Sequence, residues 1–170
     1  MPNSSEVLSF ILEALQGLNL PVVVMGLDIP KNHQDPNRVF SLSADSTTAT
    51  NLVDNAISKS AYIPHELIFP RCSLVIHHGG CGTVCSAISA GVPQVVIPCY
   101  FDQFAWGDRI EHLGIGASPG SAVCTTASSI KSAIERARGA EVLEQVKSYR
   151  SLLRKERKAR TAIVGVAEDA

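Results

Sequence analysis

The stretch His77-His78-Gly79-Gly80-Cys81-Gly82-Thr83 sets two imidazoles and a hydroxyl around three glycines. Glycine has no Cβ to hold a ligand away from the main chain, so such a run lets backbone N–H groups close on a bound group. Thr83 reads as the start of a short helix that runs to Ala90 and stops at Gly91. A helix start offers unpaired N–H donors and the positive end of the dipole, and the guest that suits both is an anion, phosphate above all. His78, just past a buried strand, can add a hydrogen bond or a positive charge, and Thr83 a hydroxyl donor. The same glycines would equally make a tight strand-to-helix turn beside a buried histidine, and the loop alone does not separate the two readings. Two phosphate loops are excluded. No lysine follows Gly82, as a Walker loop requires, and Cys85 stands where the last glycine of a dinucleotide fingerprint belongs.

Asp102 and Gln103 form a second group, a short way past Pro98. A carboxylate accepts, an amide donates and accepts, and a vicinal diol of a sugar wants that mixture. If their strand lies beside the strand that feeds the glycine loop, both groups face one crevice outside the carboxyl ends of a parallel sheet. The alternative is an exposed polar turn.

Several elements must position these groups. Asn3, with Glu6 three residues on, predicts a capped helix with Val7, Leu8, Ile11, Leu12 and Leu15 inward. Val22–Met25, Ser73–Ile76 and Gln94–Ile97 read as strands buried on both faces, and Val39–Leu42 as a short strand. Tyr62 to Pro70 brackets a helical turn between prolines. Thr125 or Thr126 caps a helix through Arg138 with Ile130 and Ile134 inward, and a last helix runs from Glu141 into the 160s. The polar stretch from Asp28 to about Ser60 is long for a loop inside a compact domain, which makes it functional or mobile. Strands alternating with helices predict an α/β layer fold with a mainly parallel sheet.

The bulk numbers agree. At 170 residues, 45% apolar, 18% charged and a net charge of −1, the chain has the composition of one globular domain, with no excess charge calling for nucleic acid. Five cysteines and no secretory leader predict a reducing, cytoplasmic setting, and the apolar runs fall far short of a bilayer span, so no stable membrane insertion is expected. Cys81, Cys85, His77 and His78 lack the paired spacing of a zinc site, so no metal is expected. Phe104 and Trp106 read as core anchors, and the basic stretch from Arg150 to Arg160 as a solvated helix face.

Tyr62-Ile-Pro-His, Phe69-Pro-Arg-Cys, His77-His-Gly-Gly-Cys-Gly-Thr, Ala90-Gly-Val-Pro-Gln, Pro98, Asp102-Gln103, Arg109 and Leu113-Gly-Ile-Gly stand in an order and at spacings that closely resemble the donor-binding domain of GT-B glycosyltransferases of the UDP-glycosyltransferase family, in particular its sterol and bacterial natural-product branch. The resemblance implies a Rossmann-like three-layer α/β domain with a mainly parallel sheet, the C-terminal half of a GT-B fold, occupying 1–170 as a single donor-binding domain. It implies that His78 contacts the diphosphate with Gly80, Gly82 and Thr83, and that Asp102 and Gln103 hold the sugar. Tyr62 would stack on the base while backbone groups of Ile63 meet the base edge. The expected ligand is a UDP- or TDP-sugar, with no separate cofactor.

The chain departs from the family pattern in three places. Ser86 stands where plant members carry a ribose-binding glutamate, the segment before Tyr62 is longer, and the resemblance implies an N-terminal domain that is expected to lie outside these 170 residues. In the family that domain supplies the small-molecule acceptor pocket and the general base, so no catalytic residue is expected within this chain. Three rival readings keep the site but change its use: a donor-binding subunit of a split glycosyltransferase, a nucleotide-sugar hydrolase or epimerase, and a dinucleotide-dependent oxidoreductase.

Overall fold

The computed structural model describes residues 3–16, 18, 22–25, 39–42 and 63–168. Asn3 accepts a hydrogen bond from the Ser5 N–H (3.1 Å) and so caps helix α1, Ser4–Ala14, which buries Leu8, Leu12 and Ala14. Strand β1, Val22–Met25, pairs in parallel with β2, Val39–Leu42. The rest of the polar stretch from Asp28 to Ser60 lies outside the described residues.

A helical turn α2, His65–Ile68, and a 3-10 turn, Phe69–Arg71, lead into β3, Val75–His77. Helix α3, Cys81–Ala90, ends on Gly91 in the left-handed conformation at φ 72°, a turn that glycine makes without strain. Then come β4, Gln94–Val96, helix α4, Asp102–His112, the short β5, Gly116–Ala117, helix α5, Ala127–Ala137, and the long helix α6, Ala140–Glu168. Strands β3, β4 and β5 form one sheet in that order, every pair parallel. The adjacency of β3 and β4, on which the meeting of the two polar groups depends, is therefore met.

Two elements went unread in the sequence. The residues 102–112 form a helix rather than a polar turn, and β5 occupies a stretch too short to show periodicity. The anticipated Thr126 cap is present: its side chain accepts from the Ser129 N–H, while the Ser129 hydroxyl accepts from the Thr126 N–H, closing a capping box.

Side chains on β4 alternate between two cores. Val95 packs with Ala14 of α1 and with Ile130, Ala133 and Ile134 of α5. Val96 points the other way, to Val84 of α3, Ile110 of α4 and Val146 of α6. Both valines are fully buried, so the sheet is the middle of three layers. Trp106 joins the second core as expected, whereas Phe104, expected there too, is exposed.

Candidate functional site

The loop His78–Gly80 joins the carboxyl end of β3 to α3, the edge where ligands meet parallel sheets. Helix α3 begins at Cys81, two residues before the expected Thr83, with Gly80 as N-cap and no side chain capping it. Its first ladder bond runs from Val84 N–H to the Gly80 carbonyl at 3.0 Å, which leaves the N–H groups of Cys81, Gly82 and Thr83 ahead of the ladder. Cys81 and Gly82 are exposed, and a Cβ built on Gly82 would meet nothing within 4 Å. The first turn of α3 is therefore open to solvent around Cys81 and Gly82.

His78 is exposed and folded back over Gly80. Its Nδ1 accepts from the Gly80 N–H at 3.4 Å, and a Cβ on Gly80 would lie 2.9 Å from the ring's Cε1. Glycine at 80 is what lets the imidazole lie against the helix mouth. A cleft of about 560 Å³ opens beside it, with His78, Thr83, His65, Tyr100, Leu74 and Met25 on its walls.

Asp102 and Gln103 open α4. A Cβ on Gly79 would stand 3.2 Å from the Gln103 carbonyl oxygen, so the first turn of α4 abuts the glycine loop. Asp102 is exposed. Gln103 departs from the expected role in one respect. Its side-chain oxygen already accepts from the N–H groups of Cys99 (2.9 Å) and Tyr100 (3.0 Å), which leaves only its NH₂ to offer a ligand. Neither residue lines the cleft wall that carries His78 and Thr83. Ile63 buries its side chain in the core with Ile68 and Phe69, and Tyr62 lies outside the described residues.

Sequence reasoning missed two features. Phe101, just before Asp102, has φ 46° and ψ −123°, and the residue is 92% exposed. A non-glycine residue there carries of order 1–3 kcal/mol of strain, a cost that tends to gather at functional sites. The other is a polar chain that runs from the half-buried His77 into the buried Gln94. The Gly79 N–H donates to His77 Nδ1 (3.0 Å), His77 Nε2–H donates to Gln94 Oε1 (2.9 Å), and the Gln94 amide reaches the Val84 carbonyl at 3.5 Å. Gln94 is fully buried. Seventeen residues separate His77 from Gln94, a spacing that only the β3–β4 register brings together.

Burial lowers the His77 pKa to about 4, the Gln94 hydrogen bond opposing it and the neighbouring His78 and His65 pushing the same way as burial. The unfolded ring binds a proton below its ordinary 6.5, and the folded ring refuses it until about 4. Stability therefore falls as pH drops through that window and levels off below it, by roughly 2–3 kcal/mol. Urea unfolding of the wild type and of His77→Asn across this range is the check. The gap between the two curves should narrow toward pH 4, and parallel curves would show that His77 titrates normally.

A parallel three-layer domain with an uncapped helix mouth, a histidine against it and a carboxylate on the next helix belongs to the class of α/β domains whose sheet edge is open to a ligand. Residues 31–169 match the family profile of the erythromycin biosynthesis protein CIII-like C-terminal domain, and the chain belongs to that family. A sterol 3-beta-glucosyltransferase of Arabidopsis thaliana is 39% identical over 93 residues, which is 55% of this chain and 15% of that protein. A UDP-sugar-dependent glycosyltransferase of Dictyostelium discoideum is 38% identical over 101 residues, 59% of this chain and 6% of its own length. The chain thus spans less than a sixth of these relatives. Among solved structures, the kitacinnamycin glycosyltransferase superimposes with a TM-score of 0.69 at 21% identity, covering 91% of this chain and 37% of its own. The calicheamicin glycosyltransferase CalG4 gives 0.67 at 24%, covering 97% and 38%. The fold is the α/β arrangement of the GT-B glycosyltransferases. Among the described residues, no helix is long and apolar enough to cross a membrane.

Proposed function

We propose that this chain is the donor-binding domain of an inverting glycosyltransferase, taking a UDP- or TDP-sugar across the mouth of α3. The observation that carries the reading is the open, uncapped start of α3, with His78 laid over Gly80 and Thr83 on the adjoining cleft. The diphosphate would accept from the N–H groups of Cys81, Gly82 and Thr83, the Thr83 hydroxyl and the His78 ring. Asp102 would accept from sugar hydroxyls, and Gln103 would donate through its NH₂. Tyr62 and the backbone of Ile63 would hold the base.

The relatives' names support this reading. They are glucosyltransferases and a UDP-sugar-dependent glycosyltransferase, and a structural neighbour, VinC, was solved with dTDP. In the whole enzyme, a base outside these 170 residues would deprotonate an acceptor hydroxyl, whose oxygen attacks the anomeric carbon as the bond to the diphosphate breaks. The departing diphosphate gains negative charge, and the helix mouth and His78 absorb it without a metal. Ligand-detected NMR against UDP-, TDP- and GDP-sugars tests the reading, with signals expected for the first two.

His78→Ala removes one hydrogen bond to a charged group, worth about 1.5–3 kcal/mol, so calorimetry should show UDP affinity falling roughly 10- to 100-fold. Unchanged affinity would remove His78 from the site.

A further inference from the structure

His77, at the end of β3, borders the same cleft as His78 and Thr83, yet both of its ring nitrogens are engaged with protein groups. The Gly79 N–H can only donate, so His77 Nδ1 must be the bare nitrogen and Nε2 must carry the hydrogen. That hydrogen goes to Gln94 Oε1, which turns the Gln94 NH₂ toward the Val84 carbonyl in the first turns of α3. One tautomer of one side chain thereby ties the glycine loop to β4 and, through Gln94, to the helix whose mouth lies open.

Gly79 needs such a tie. At φ 95° it stands in a conformation with no preference of its own, packed against Val96 on one side and the start of α4 on the other. From Gly79 the chain turns directly into Gly80, whose N–H points at His78 Nδ1 and whose carbonyl starts the α3 ladder. Rotating the peptide before Gly79 would move the His78 ring and the first-turn donors together.

We propose that His77 is a positioning residue: as a neutral acceptor for the Gly79 N–H it fixes the loop that aims His78 and the first-turn amides of α3, its own ring nitrogens being spent on protein groups. The proposal rests on the donor-binding reading for its consequence in affinity, but its structural content is independent of any ligand.

Two variants separate the bonds. In His77→Asn the side-chain oxygen falls where Nδ1 stood and keeps the Gly79 bond. In His77→Gln the polar group reaches toward Gln94 and leaves the Gly79 N–H without its acceptor. Both are polar, and both are first checked for a folded amide spectrum and a cooperative melt. His77→Asn should retain Gly79 amide protection and the wild-type shifts of residues 78–83, with UDP affinity within about threefold. His77→Gln should lose that protection, shift those amides and weaken UDP by at least about tenfold, as expected when a buried donor is orphaned next to the site. His77→Gln indistinguishable from wild type in the loop amides would overturn the proposal. So would equal losses in both variants, which would mark a merely structural role. If the loop amides respond as stated but the wild-type chain binds neither UDP nor TDP, the donor-binding reading fails and the loop assignment stands.

Discussion

Replacing Gly116 by alanine is expected to destabilise the fold by about 3–5 kcal/mol, the range of severe overpacking in a rigid core. Gly116 lies in β5 opposite Gln94 of β4. A Cβ there would run into the Gln94 carbonyl oxygen and stand 2.6 Å from Ile110 Cγ2. Ile110 is 1% exposed and packed between α4 and the sheet, and the carbonyl belongs to the middle strand, so neither can withdraw cheaply. Because Gln94 also holds His77, the disturbance should reach the glycine loop. Gly82→Ala is the control, since its Cβ enters open space and alanine suits a helix better than glycine. Urea titration of the two variants decides the matter, and a Gly116→Ala midpoint close to that of Gly82→Ala would mean that β5 sits differently from the description above.

Gly79→Ala should combine two penalties. At φ 95° an L-residue is strained whatever surrounds it, and the new methyl would lie 2.8 Å from Val96 Cγ1 and 3.2 Å from the Gln103 carbonyl oxygen. We expect a loss of about 2–4 kcal/mol in stability, together with at least a tenfold loss in UDP affinity, because the residue connects the half-buried His77 to the helix mouth. Thermal unfolding measures the first and calorimetry the second. Loss of stability with unchanged affinity would separate the loop from binding.

Much of this was legible in the chain before any coordinates. The strands announce themselves by β-branched runs such as Val22 to Met25, and α5 by its threonine cap and the spacing of Ile130 and Ile134. Of the strands expected to be buried on both faces, only Gln94–Ile97 is buried throughout, Val22, Met25, Leu74 and Ile76 being half-buried. The parallel order of β3 and β4 followed from the helix between them. What escaped has physical causes. Helix α4 fully buries only Gly107 and Ile110, exposes Phe104 and carries Asp102, Gln103, Asp108 and Arg109 outward or at its end, so its apolar period is weak. The start of α3 was read two residues late because Gly82 looks like a breaker, although a first turn tolerates glycine where its carbonyls already begin the ladder. The spent acceptor of Gln103 and the His77–Gln94 pair depend on backbone geometry and strand register, to which no local spacing rule gives access.

The bare opening turn of α3 bears on how this chain can change over generations. Its donors are peptide hydrogens, and every residue type except proline supplies an identical one. On the donor-binding proposal, a conventional alanine scan would therefore score Cys81 as nearly silent and credit neighbouring imidazole and hydroxyl groups with recognition that the main chain would provide. Drift at such a position leaves the chemistry intact, while a single proline, or an amide-to-ester replacement made by synthesis, would subtract one donor.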